Sequence, residues 1–359
     1  MSAAAGSGRH DLRVLAPGGV AEVRPGDDLA ALLLPLVDLR DGDVVVVTSK
    51  VVSKAEGRIR TGSREDALPG ETARVVARRG PTTIVRTHHG LTMAAAGIDA
   101  SNVATGTVVL LPEDPDASAR SLRSEILRRA GANVGVVVTD TAGRAWREGQ
   151  TDIAIGAAGL LVLEDYSGRT DGHGNELAVT APAVADEIAG LSELVQGKLR
   201  GRPFAVVRGR ADLVLPPGED GPGARALIRP EGADLFGYGA REAVLRALRG
   251  DPADRAPFGA PVPAAELAAT VRAELGLDAA PVPGGVQVSM PPGLPGPPGA
   301  TATLAVLAFA HGWEVGPAID TAIDTAVDTA FDAAFDSAVD PRARATDEPK
   351  LVGLRPVTP

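Results

Sequence analysis

The chain has no cysteine in its 359 residues. That absence removes disulfide frameworks, thiolate zinc sites, iron–sulfur clusters and cysteine nucleophiles together. Histidine is scarce as well: the five are His10, His88, His89, His173 and His311, and none falls at a spacing typical of zinc ligands. Any metal here is therefore expected on carboxylates, hydroxyls and carbonyls, the oxygen set that suits magnesium or manganese. Basic charge is not in excess. The formal net charge is -10, which gives no electrostatic footprint for nucleic acid or an anionic membrane and reads as solubility. Long hydrophobic runs are missing too: residues 30–37 and 153–163 are too short to span a bilayer, and residues 1–13 lack the apolar core of a signal peptide. The expected location is cytoplasmic.

What is present, from Leu12 to Arg249, is an alternation of short β-branched runs with longer helical patterns, the signature of a mixed α/β (α+β) domain. Strands are expected at residues 44–48, 106–111, 134–139 and 204–208. Helices are expected at 28–37, at 71–79, after Asp116 with Ala119, Leu122, Ile126 and Ala130 on one face, and at 182–199 with Val184, Ile188, Leu191 and Val195 as the buried stripe. Thr180 is a candidate cap for the last.

Beyond Gly250 proline and alanine take over. Residues 250–317 read as an extension in which two helical patterns, 264–275 and 301–311, suggest a small module, and 290–299 as irregular linker. Residues 318–359 hold a four-residue repeat with Asp320, Asp324, Asp328, Asp332, Asp336 and Asp340. Four residues advance a helix by about 400°, so the apolar stripe drifts and the aspartates repel at i, i+4. A disordered tail is favoured over a calcium-binding array.

Three polar clusters can carry chemistry. Asp140-Thr141 follows the valine strand 134–139, where ligands gather in open α/β sheets. From position alone Asp140 reads equally as a turn cap or as a cation ligand. Asp99, Ser101 and Asn102 share a glycine-bounded loop. Ser49, Lys50, Ser53 and Lys54 follow directly from the four-valine strand 44–47, and two hydroxyl–lysine pairs there suit phosphate oxygens, although solvated lysines beside a strand are common. Neither a Walker A sequence nor a dinucleotide fingerprint occurs.

Taken in order, these strings resemble the coenzyme F-420-0:L-glutamate ligase (γ-glutamyl ligase) family. They are RPGDD at 24–28, GDVVVVTSKVVSK at 42–54, GIDASNV at 97–103, PEDPDAS at 112–118, DTAGRAWR at 140–147, GQTD at 149–152, and ADEI at 185–188 leading to Gly197-Lys198. The resemblance spans residues 14–249 and implies a ligase domain over 12–249. It implies GTP-driven amide formation through an acyl phosphate, joining L-glutamate to coenzyme F-420-0 and further glutamates through the γ-carboxylate.

By the same resemblance Asp99, Asp140 and Thr141 hold two divalent ions, Mg2+ or Mn2+, with K+ as a further ion. Val20, Ala21, Glu22 and Val23, after Gly19, together with Ser49, Lys54 and Asn102, touch GTP. A homodimer is implied. Arg144 and Arg147, beside the metal motif, suit phosphates or the acidic substrate by charge and position, and read equally as surface ion pairs. Two departures stand out. The family's Gly-x-Pro-Glu turn is here Gly19-Val20-Ala21-Glu22, without the proline's fixed dihedral. Some archaeal relatives carry an acid or amide near Lys198, where a charged lysine cannot ligate a metal. Many actinobacterial relatives continue into a flavin-binding reductase-like domain, and residues after Gly250 are too few for it, so no FMN site is expected. Two alternatives remain: a ligase–reductase whose second half is degenerate, and a non-catalytic deazaflavin- or nucleotide-binding protein.

Overall fold

The structure, a computed structural model, describes residues 11–230, 232–234, 236–290, 299–319 and 350–357. It divides into two compact units, Met1–Ile228 and Arg229–Pro359.

The first unit is built on a five-stranded sheet. Its order is Arg13–Leu15, Phe204–Arg208, Val44–Thr48, Gly135–Arg144, Arg147–Ala158. The centre is the one parallel pair, with Val44 opposite Gly135 and Thr48 opposite Thr139. The unbroken valine run follows from burial on both faces. Val45 and Val47 pack with Leu33, Leu122 and Ile126 on one side, while Val44 and Val46 pack with Val184, Ala185 and Ile188 on the other. Helix Pro115–Ala130 starts with Asp114 accepting from Ala117 N and ends on Gly131 in the left-handed conformation.

The crossover between the two parallel strands carries a smaller β lobe. Strands Thr72–Arg79, Thr82–Thr87 and Thr92–Ala94 form one antiparallel sheet, and Ile59–Thr61 pairs with Thr107–Val109. Where a helix over 71–79 is expected, Thr72–Arg79 is thus a strand. The adjacent Val75 and Val76 favour an extended chain, and Gly80-Pro81 turns it back onto Thr82–Thr87. Helix 28–37 shortens to Leu29–Leu33, capped by Asp28. Helix 182–199 is Val184–Gln196, and its cap position is Ala183, without a side-chain bond from Thr180.

The second unit has its own sheet, antiparallel throughout, in the order Asp278–Val282, Gly285–Met290, Lys350–Pro356, Trp313–Pro317. Helices Ala264–Leu275 and Gly299–Ala310 supply Leu267, Val271, Leu304 and Ala308 to a core with Val286, Val288, Trp313 and Leu354. The two expected helices are therefore joined by strands, and this compact unit, which begins at Arg229, takes in helix Ala240–Arg249. Residues 350–356, expected in a disordered tail, form a strand between two others because alternate residues Val352 and Leu354 are buried in that core. The aspartate repeat at 320–340 lies outside the described residues. Among the described residues no helix is long and apolar enough to cross a membrane.

Candidate active site

The parallel pair ends where the chemistry begins. After Thr48 the chain turns at once into helix Ser49–Ala55, while its neighbour runs on past Thr139 to Arg144 as one arm of a hairpin. Asp140 is therefore neither a strand end nor a turn cap. It sits mid-strand at the point where its parallel partner leaves, and Ser49 Oγ, filling that gap, donates to Asp140 Oδ1 at 2.9 Å.

A cleft of about 620 Å³ opens there. Val20 to Val23, Ser49, Lys54, Asp99, Asn102, Asp140 and Thr141 all line it, so the structure brings together three clusters that are far apart in sequence. Lys54, almost fully buried, donates to Glu22 at 2.5 Å and to the Asn102 carbonyl at 2.7 Å, tying the 20–23 turn to the 97–103 loop. Asp99 is held from below by paired backbone hydrogen bonds with Val109, 3.0 and 2.8 Å, over buried Ile98 and Val108. Its carboxylate accepts from Ser101 N (2.7 Å), Ser101 Oγ (3.0 Å) and Lys50 Nζ (2.7 Å). Burial opposes the charge on Asp99, but the Lys50 and Ser101 donors outweigh it and hold the carboxyl below its ordinary range.

Asp140 is different. Burial pushes its carboxyl up to about 7, against the Ser49 hydrogen bond, and the nearby Asp152 charge pushes the same way. The backbone of Thr141 and the charge of Lys198 offset this only in part. An ionised carboxylate so placed wants a cation.

Three residues of the wall, Asp152, Glu193 and Gln196, lie outside the three expected clusters, and Lys50 takes a specific place within one of them. Lys50 lies one helical turn before Lys54 and bridges Asp99 to Ser101 Oγ, 2.8 Å away. Asp152, directly opposite Thr141 across the hairpin, accepts from Thr141 Oγ1 at 2.7 Å. Glu193 faces it from helix Val184–Gln196, and burial, then the Asp152 charge, raises its carboxyl while Lys198 lowers it. Gln196 is 2% exposed, and neither atom of its amide has a hydrogen-bond partner. Lys50 lies in a recognised string, whereas Asp152 gains its place through the register of the hairpin. Nothing local announces Gln196.

Arg144 and Arg147 are not brought to the cleft. They face each other at the hairpin tip, where residues 143–150 are exposed, and Arg144 donates to the Glu148 carbonyl at 2.9 Å.

The donors at Asp99, Asp140 and Thr141 are all hard oxygens, and the only partly compensated charge of Asp140 fits a hard divalent ion. Among the described residues no three His, Asp or Glu converge into a closed cage. An open site of one or two carboxylates is the kind magnesium and manganese share with substrate phosphates. The lysines 50, 54 and 198 and Arg202 supply cationic donors to the same space.

The sequence profile of the family described as F420-0:Gamma-glutamyl ligase matches residues 19–82 and 67–209. A Methanopyrus kandleri protein named Coenzyme F420:L-glutamate ligase is 41% identical over 239 residues, covering 60% of this chain and 93% of the relative. A protein of the same name from Archaeoglobus fulgidus is 43% identical over 213 residues, covering 53% and 85%. Another from Haloarcula marismortui is 41% identical over 224 residues, covering 55% and 87%. All of these matches leave more than a third of this chain unmatched.

Proposed function

The chain belongs to the F420-0:gamma-glutamyl ligase family, and from that premise we propose that it is a GTP- and divalent-metal-dependent ligase joining L-glutamate to coenzyme F-420-0. The observation that carries the nucleotide and metal part is the meeting of Ser49, Lys54, Asn102 and Asp140 in one cleft.

In the first step the acceptor carboxylate attacks the γ-phosphorus of GTP. An acyl O–P bond forms, the bond to the β-phosphate breaks, and GDP leaves with its electron pair. In the second step the glutamate amine attacks the acyl carbon, a C–N bond forms, inorganic phosphate departs, and the amine loses a proton. Phosphoryl transfer asks mostly for positioning and charge neutralisation. Asp99 and Asp140, with Thr141 beside them, would hold a magnesium or manganese ion, whose role is to neutralise phosphate charge. Lys54 fixes the 20–23 turn against the nucleotide, and Lys50, Lys198 and Arg202 present donors to the phosphates. The glutamyl chain grows when the γ-carboxylate of the product returns as acceptor.

We extend the proposal to a homodimer, because the exposed hairpin tip carries Arg144 and Arg147 away from their own cleft; light scattering reads the mass directly. The function itself is tested by incubating the purified chain with GTP, Mn2+, K+, L-glutamate and F-420-0, and reading the products by mass spectrometry. Products heavier by glutamyl increments are expected. No increment from a demonstrably folded protein would sink the proposal.

A further inference from the structure

The hydroxyl of Thr141 is oriented by its two neighbours. It donates to Asp152 Oδ1 at 2.7 Å and accepts from Lys198 Nζ at 2.9 Å. An ammonium thus already lies on one lone pair of a group to which the family resemblance assigns a metal. A magnesium or manganese ion on the other lone pair, ~2.1 Å from the oxygen, would stand about 4 Å from that nitrogen if the two directions are tetrahedral. Two cations at that separation repel strongly in a cleft walled by protein. Lys198 has only donors to offer, so it cannot ligate the ion it crowds.

Lys198 is an exposed residue of the cleft wall, and its surroundings suit a positive charge. Lys198 lies within electrostatic reach of Asp140 and Glu193, since it lowers the carboxyl of each, and Asp152 sits across the Thr141 hydroxyl. Lys50 is in another position. It meets Asp99, an anion that attracts a metal as readily as a lysine, and Ser101 Oγ gives it a second partner when the carboxylate is taken.

We propose that the Lys198 ammonium replaces a second divalent ion in this chain, which then holds one metal ion per site, at Asp140 and Asp99, with Lys198 delivering the other positive charge to the phosphates. The inference rests on the GTP- and metal-dependent reading above. It makes Lys198 a residue that touches substrate.

The test counts bound Mn2+ by electron paramagnetic resonance on the full chain saturated with a non-hydrolysable GTP analogue. Asp140→Asn serves as the baseline, removing from the count any ions held elsewhere, including by the aspartate repeat. Wild type is expected to hold one magnetically isolated Mn2+ per chain above baseline. Lys198→Glu, checked for an unchanged melting profile, is expected to hold two that are exchange-coupled, and Lys198→Gln serves if the first variant misfolds. Two coupled ions in wild type overturn the inference alone. So does a folded Lys198→Glu that still holds one. No Mn2+ above baseline in wild type overturns both this inference and the metal-dependent reading beneath it.

Discussion

Replacing Asp140 by asparagine should stabilise the metal-free protein while abolishing its activity, and the gain should depend on pH. In the folded chain burial pushes this carboxyl from its ordinary 3.8 up to about 7. A carboxyl raised in the folded state costs nothing below the unfolded value, where both states are protonated. The cost grows as pH rises between the two values and is complete above the folded one. Integrating the shift gives a penalty of about 2 kcal/mol at pH 5 and about 4 kcal/mol at pH 8, as upper bounds because Asp140 is partly exposed to the cleft. Asparagine carries no such charge, and its oxygen can still accept from Ser49 Oγ. Its amide hydrogens need partners, which costs roughly 1–2 kcal/mol at any pH.

The stability difference between variant and wild type should therefore widen in the variant's favour by about 2–3 kcal/mol from pH 5 to pH 8. At about 2–4 °C per kcal/mol for a unit of this size, that is a relative shift of several degrees. Differential scanning calorimetry of both proteins in EDTA at the two pH values measures it. Adding Mn2+ at pH 8 should raise the wild-type transition and leave the variant's in place. A difference that stays constant across pH would refute the claim that the charge of Asp140 is only partly compensated in the metal-free fold.

Lys54→Met removes both ties of the 20–23 turn to the 97–103 loop, worth about 1.5–3 kcal/mol for a charged donor, so the KM for GTP should rise about 10- to 100-fold with the KM for glutamate little changed. An unchanged KM for GTP would make Lys54 a pillar of the fold only. Arg123→Met tests the frame behind the site: this buried guanidinium donates to the carbonyls of Val134, Leu215, Pro216 and Glu219, and their loss should cost about 3 kcal/mol or more, read by urea unfolding.

The central architecture was legible because its residues have one use. Residues 44–47 are four consecutive valines and residues 204–207 are apolar throughout, the pattern of a strand covered on both faces, and Pro115–Ala130 carries both a cap and a left-handed glycine stop. Thr72–Arg79 was misread because its adjacent valines satisfy neither a period of two nor one of 3.6 cleanly. Its partner across Gly80 decides the matter, and that is a non-local fact. In the site, Ser49, Lys54, Asp99 and Asp140 lay in recognisable strings. Asp152 and Gln196 did not stand out, because one matters through the register of a hairpin and the other through the packing of a helix end. Arg144 and Arg147 looked catalytic by nearness in sequence to Asp140, but an extended arm places successive residues about 3.4 Å apart and carried them off. The second unit's sheet was hidden because Pro281 disguises one of its strands and the last lies beyond the repeat.

That last strand matters to anyone shortening the protein. Lys350–Pro356 bonds to Gly285–Met290 on one side and Trp313–Pro317 on the other, so stopping translation before the repeat would delete the piece that joins them. Two raw strand edges would be exposed, an invitation to aggregation that could be mistaken for a role of the repeat itself. Excising residues 321–348 and religating the flanks keeps the strand, and cutting after Ile228 removes the whole unit with its core. Comparing those two truncations separates the contribution of the repeat from that of the domain that contains it.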